Sequence, residues 1–121
     1  MEKGRLYLVP VPLGPVAAES VLPAPVLDCA RKLKHFVAES AKSARAMLKS
    51  LPSDYPLQLI EIRELNEHTS LNALPDLLAP LLAGMDVGLI SEAGCPAVAD
   101  PGANLVALAH REGIQVIPMI G

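Results

Sequence analysis

Apolar residues recur along this chain in two spacings that take turns. The stretches "RLYLV" (Arg5–Val9), "KHFVA" (Lys34–Ala38), "LQLIEIREL" (57–65), "DVGLIS" (Asp86–Ser91) and "IQVIPMI" (114–120) are short and rich in Leu, Val and Ile, and they predict five strands. In the third, Leu57, Leu59, Glu61 and Arg63 alternate against Gln58, Ile60, Ile62 and Glu64, which leaves its span open. Between the strands the spacing becomes helical. Val26, Leu27, Ala30 and Leu33 form a stripe behind Pro25, which a first turn tolerates. Ser40 is placed to cap a helix that turns Ala44, Met47 and Leu48 inward and Lys42, Arg45 and Lys49 outward. A Leu-rich helix starts at Thr69 or Ser70 and ends at Gly84, with a kink expected at Pro80. The last helix turns Leu105, Val106, Leu108 and Ala109 inward and closes at Gly113. Strand and helix alternate throughout, so the expected fold is α/β: an open parallel five-stranded sheet with helices on both faces.

Two strand ends open into stiff loops. "PVPLGPV" stops the first strand with three prolines and one glycine, and "LISEAGCPAVADPG" (Leu89–Gly102) follows the fourth. Prolines hold Cys95 and Asp100 out of helical conformations, and glycines allow close backbone approach. Ligands of open α/β sheets sit beyond the carboxyl ends of the strands, so a tight connection and a binding loop are both open readings.

Composition narrows the function classes. The chain has 121 residues, enough for one domain with a real core, and with 2% aromatic residues that core must be Leu, Val, Ile and Ala. No run of eighteen apolar residues occurs and the start lacks a signal-peptide pattern, so the reading is a soluble, cytoplasmic protein without a membrane segment. Cys29 and Cys95 have neither disulfide-framework nor metal spacing, and His35, His68 and His110 form no metal motif. No phosphate-binding lysine loop or dinucleotide glycine motif is present. The net charge of −3 hides an asymmetry: residues 1–49 hold eight Lys/Arg against four Asp/Glu, and residues 50–121 hold two against nine. Six of the ten basic residues fall between Arg31 and Lys49, as a solvated helix face or a phosphate-binding patch. Because the fifth strand has no covering helix after it, the chain is expected to be the amino-terminal piece of a longer protein, with a complete natural domain as the alternative.

Taken together, "LYLVPVPLG", "FVAES", "GLISEAGCPAVADPG" and "GIQVIPMIG" resemble the tetrapyrrole methylase family, and most closely its branch of small-subunit ribosomal RNA cytidine 2′-O-methyltransferases. Pro12, Gly14, Ser91, Ala93, Gly94, Pro96, Asp100, Pro101 and Gly102 keep the family identity, and Leu13 replaces Ile. The resemblance implies two α/β domains with S-adenosylmethionine in the cleft between them, usually in a homodimer, with residues 1–121 as the first domain and the second absent. It implies that Pro12, Leu13, Gly14, Ser91, Glu92, Ala93, Gly94, Cys95 and Pro96 wall the donor pocket. Glu39 would assist proton removal from a ribose hydroxyl, or is simply a charge at a helix start, and Lys42, Arg45 and Lys49 would meet RNA phosphates. No metal is implied. The departures are Val11 for Thr, Pro15 for Asn, Glu92 for Asp, Cys95 for Thr, and Ser40, Ala41 and Lys42 for Asp, Thr and Arg. They keep two rivals open: a catalytically silent binding domain, and a methylase of small, tetrapyrrole-type molecules.

Overall fold

Leu, Val and Ile in short runs form strands here because both faces of a parallel sheet are covered, so each residue of a run finds apolar neighbours on one side or the other. The computed structural model describes residues 2–11, 23–92 and 101–119. Its strands are β1 (Leu6–Val11), β2 (His35–Ala38), β3 (Glu61–Glu64), β4 (Val87–Glu92) and β5 (Val116–Pro118). They form one parallel sheet in the order β3-β2-β4-β1-β5. The longest ladder joins β1 to β4, from Leu6 opposite Val87 to Val11 opposite Glu92. The helices are α1 (Ala24–Lys32), α2 (Ala41–Lys49), α3 (Leu74–Leu77), α4 (Ala79–Leu82) and α5 (Gly102–Arg111).

Successive side chains of a strand point to opposite faces, and the core accordingly divides in two. Val9 and Phe36 meet Val26 and Ala30 of α1 and Leu48 of α2 on one face. Leu6, Val37, Val87 and Leu89 meet Leu77 of α3, Leu81 of α4, and Leu105 and Ala109 of α5 on the other. The fold is the α/β sheet covered on both faces that the pattern predicts.

Local boundaries differ from expectation in three places, each for a physical reason. The strand β1 runs through Pro10 to Val11 instead of stopping at Val9. Its neighbour β5 pairs only as far as Leu8, so Pro10, with no N–H to give, costs no ladder bond on that side. The third strand is only Glu61–Glu64, because Leu57–Leu59 forms a 3-10 turn after Pro56 and Leu59 stays exposed. The Leu-rich helix opens with a 3-10 turn, Leu71–Ala73, whose Asn72 N–H is accepted by the Ser70 hydroxyl at 3.2 Å. It then breaks at Leu78, just before Pro80, into α3 and α4. The terminating glycines are where the spacing puts them, Gly84 at φ +93° and Gly113 at φ +72°.

The amino ends of β1 and β4 are fastened by short-side-chain chemistry. The Gly4 N–H donates to Leu81 O at 2.7 Å, Arg5 N–H to the Asp86 carboxylate at 2.8 Å and Val87 N–H to Arg5 O at 3.0 Å. A Cβ on Gly4 would overlap the Met85 carbonyl, whereas one on Gly88 would meet side-chain atoms of Leu33 and Phe36 at 2.9–3.0 Å. Gly4→Ala should therefore cost about 1–3 kcal/mol, and Gly88→Ala less, because side chains can yield where a backbone carbonyl cannot. Urea melts of the two variants check this, and equal stabilities would contradict the fastening. At the other end of the sheet, α2 is capped twice: Ser43 N–H donates to the Ser40 hydroxyl at 3.2 Å and Ala41 N–H to the Glu64 carboxylate at 2.9 Å. Ser40→Ala and Glu64→Ala should each lower stability by about 0.5–1 kcal/mol in the same assay. A neutral Glu64→Ala would remove the cross-strand cap from the account.

Candidate functional site

Because all five strands are parallel, their carboxyl ends share one rim, and most residues singled out by the sequence belong to it or to the stretches leaving it. The last pair of the central ladder is Val11–Glu92. The stretches 12–22 and 93–100 therefore start side by side at adjacent strands, although about eighty residues separate them in sequence. They lead to α1 and α5, which pack on opposite faces of the sheet. Adjacent parallel strands whose following helices lie on opposite faces mark the place where open α/β sheets hold ligands. Ser91 and Glu92 are the final residues of β4, with their backbones paired to Pro10 and Val11. Pro12, Leu13, Gly14, Ala93, Gly94, Cys95 and Pro96, predicted to wall the pocket, lie outside the described residues.

Glu39 follows β2 directly, and β2 pairs with β4, so this exposed carboxylate is one strand away from the Ser91–Glu92 end. The backbone there is held from β3: Leu65 N–H donates to Ala38 O at 2.8 Å and the Asn66 side-chain amide donates to Glu39 O at 3.1 Å. Asn66 is itself fixed, its N–H donating to the Thr69 hydroxyl at 3.0 Å and its amide oxygen accepting from His68 N–H at 2.9 Å. Sequence reasoning missed both Asn66 and Glu64. Each acts on a residue more than twenty positions upstream, for which periodicity gives no signal; the Asn-containing polar turn was the only hint. Ser40, which replaces the family Asp, still serves as the helix cap, a role that both residue types fill.

Lys42, Arg45 and Lys49 are all exposed on α2, and among the described residues none has a carboxylate within ion-pair distance. Lys42 lies in the first turn, near the rim, and Lys49 ends the helix about 10 Å further along its axis. The face that the spacing predicts is present and points to solvent. Burial pushes the Cys29 thiol above its ordinary pKa, which disfavours its thiolate. His35 packs on the α3–α4 side with Nδ1 3.6 Å from the Glu61 carboxylate, and His68 and His110 are exposed. Among the described residues no group of three His, Cys, Asp or Glu could hold a metal ion, and no helix is long and apolar enough to cross a membrane.

No family model matches the chain. Curated relatives do. Proteins named ribosomal RNA small subunit methyltransferase I are 33% identical over 99% of this chain in Halalkalibacterium halodurans, 29% over 99% in Leptospira biflexa, and 33% over 98% in Neisseria meningitidis serogroup B. The chain spans 39%, 47% and 38% of the length of these three relatives. A solved structure of a conserved hypothetical protein from Aeropyrum pernix K1 shares the fold, with a TM-score of 0.65 over 99% of this chain and 40% of that one, at 16% identity. Along 98–99% of its length this chain is thus similar to proteins named ribosomal RNA small subunit methyltransferase I, in keeping with the resemblance of its motifs to the tetrapyrrole methylase family.

Proposed function

We propose that this chain forms one wall of an S-adenosylmethionine-dependent methyltransferase that modifies a ribose 2′-hydroxyl of small-subunit ribosomal RNA, a second domain supplying the opposite wall. The observation that carries this reading is the Val11–Glu92 pair, from which two Gly- and Pro-containing stretches start together between strands whose following helices lie on opposite faces. In sequence these stretches carry Gly14 and Gly94, a residue type that admits close main-chain approach of an elongated donor, and Ser91 and Glu92 are residue types whose hydroxyl and carboxylate can bond to one. When bound, S-adenosylmethionine supplies a methyl group activated by a sulfonium. The protein's tasks are to align the acceptor hydroxyl and to take up its proton. Glu39, held at the rim by Asn66 and exposed, is the carboxylate available to accept that proton. Lys42, Arg45 and Lys49 hold the phosphates of the strand leading away from the acceptor.

Calorimetric titration with S-adenosylmethionine tests the donor site. The 121-residue chain alone should bind weakly or not at all, while the protein from its complete reading frame binds and its Gly94→Val variant loses affinity at least tenfold without unfolding. No heat from the complete protein would overturn the methyltransferase reading, and unchanged affinity in a folded Gly94→Val protein would make the loop merely structural. The RNA assignment is checked by affinity across a salt series. Replacing Lys42, Arg45 and Lys49 together by Gln should flatten the log–log slope by about two, at roughly 0.7 per single-strand phosphate contact. Identical slopes would mean that the stripe is only a solvated helix face.

A further inference from the structure

Beyond the rim, a groove of about 240 Å³ opens where α2 ends and the chain turns back towards β3. Leu48, Leu51 and Ile60 lie in it as buried apolar residues, and Lys49, Ser53 and Tyr55 supply an ammonium, a hydroxyl and an aromatic ring. Its volume is below the roughly 300–1,000 Å³ of small-molecule pockets, so it suits one planar ring rather than a whole cofactor.

Its electrostatics select among planar ligands. The Lys34 ammonium sits 5.9 Å from the centre of the Tyr55 ring, and Lys49 is on the rim of the groove. The nearby carboxylates of Asp28 and Asp54 face the Arg31 guanidinium at 3.8 and 3.4 Å, leaving the two lysine charges uncompensated by them. Lys49 is also the last cation of the stripe that starts at Lys42 near the rim. The stripe is about 10 Å long, the rise of roughly three stacked nucleotides. An apolar floor, an aromatic wall and a line of cations leading to both are the parts from which single-stranded nucleic acid sites are built.

We propose that this groove takes up an unstacked base of the RNA flanking the modified nucleotide, with the base on Tyr55 and the intervening phosphates along Lys42, Arg45 and Lys49. The proposal rests on RNA being the substrate, but it concerns a separate contact. The groove makes the strand leave the rim in a fixed direction, so it selects substrates with a single-stranded flank.

The groove lies entirely within the described residues, and its test needs no methyl donor. Affinity for a single-stranded RNA of about twelve nucleotides, a length within the range that one such surface covers, is measured with the protein from its complete reading frame. Tyr55→Ala should weaken binding about tenfold with an unchanged salt slope, because the ring carries no charge, and Tyr55→Trp should retain binding. An RNA series with one abasic position moved along the strand should contain a member that binds the parent about tenfold more weakly and Tyr55→Ala no more weakly than the intact strand does. That non-additivity cannot come from a misfolded variant. If the parent binds RNA with a steep salt slope and Tyr55→Ala binds equally well, the groove is no base site and the stripe alone carries the RNA. If Tyr55→Ala and every abasic position lose affinity additively, the groove contact is likewise overturned. If the parent binds no RNA, both this inference and the RNA reading fall.

Discussion

The parallel pairing of β1 with β4 is the interaction on which the rest of this structure depends. It joins residues 6–11 to residues 87–92, and two further strands take their positions from it, β2 beside β4 and β5 beside β1. Parallel strands cannot be joined by a tight turn, so each must be followed by a crossover, and the order β3-β2-β4-β1-β5 sends successive crossovers first to one face and then to the other. The two half-cores are a consequence: α1 and α2 cover one side and α3, α4 and α5 the other. The place of the candidate site is a second consequence of the same pairing, since it brings the carboxyl ends of β1 and β4 together at one rim. One register thus sets both the stability of the domain and the position of its candidate site.

That register is held from its amino end by features with little hydrophobic content. Gly4 passes against the Met85 carbonyl, Asp86 accepts from the Arg5 backbone, and Gly88 leaves room for Leu33 and Phe36. A slip by one residue would turn every β1 side chain to the opposite face, exchanging Leu6 and Tyr7 between cores built for different neighbours. The apolar runs make the strands, but the small and polar residues beside them decide how they align.

These two roles explain what was legible in the sequence. Helix faces, caps and stops are local, so Ser40, Gly84, Gly113, the break before Pro80 and the buried stripe of α1 could all be read from spacing. The third strand misled because Leu57 and Leu59 continue its apolar alternation, yet the alternation there belongs to a 3-10 turn with Leu59 exposed. Pro10 misled for the opposite reason. Proline forbids a strand only where its missing N–H is needed, and whether it is needed depends on how far β5 reaches, which the neighbouring residues do not encode. Strand order was not legible, and neither was the cross-strand work of Glu64 and Asn66. The candidate site was half legible: the motif residues stood out, while the adjacency of their two stretches came from the ladder.

Charge makes the same point about position against composition. A net charge of −3 argues against a polyanionic partner if it is read as a single number. The two signs are distributed unevenly, meeting at the first turn of α2. Glu39 and Glu64 stand just after or at the carboxyl ends of β2 and β3, with the backbone of Glu92 at the end of β4, whereas Lys42, Arg45 and Lys49 run down the solvent side of α2. At physiological salt the screening length is about 8 Å, so charges 10 Å apart along a helix act largely as local fields rather than as one net value. A reaction between a cationic methyl donor and a polyanionic acceptor needs both fields, with the acidic one where the sulfonium and the departing proton are and the basic one where the phosphates lie. Under the proposed function, an acidic rim beside a basic helix face meets that requirement, and a uniformly basic chain would attract the RNA while repelling its donor.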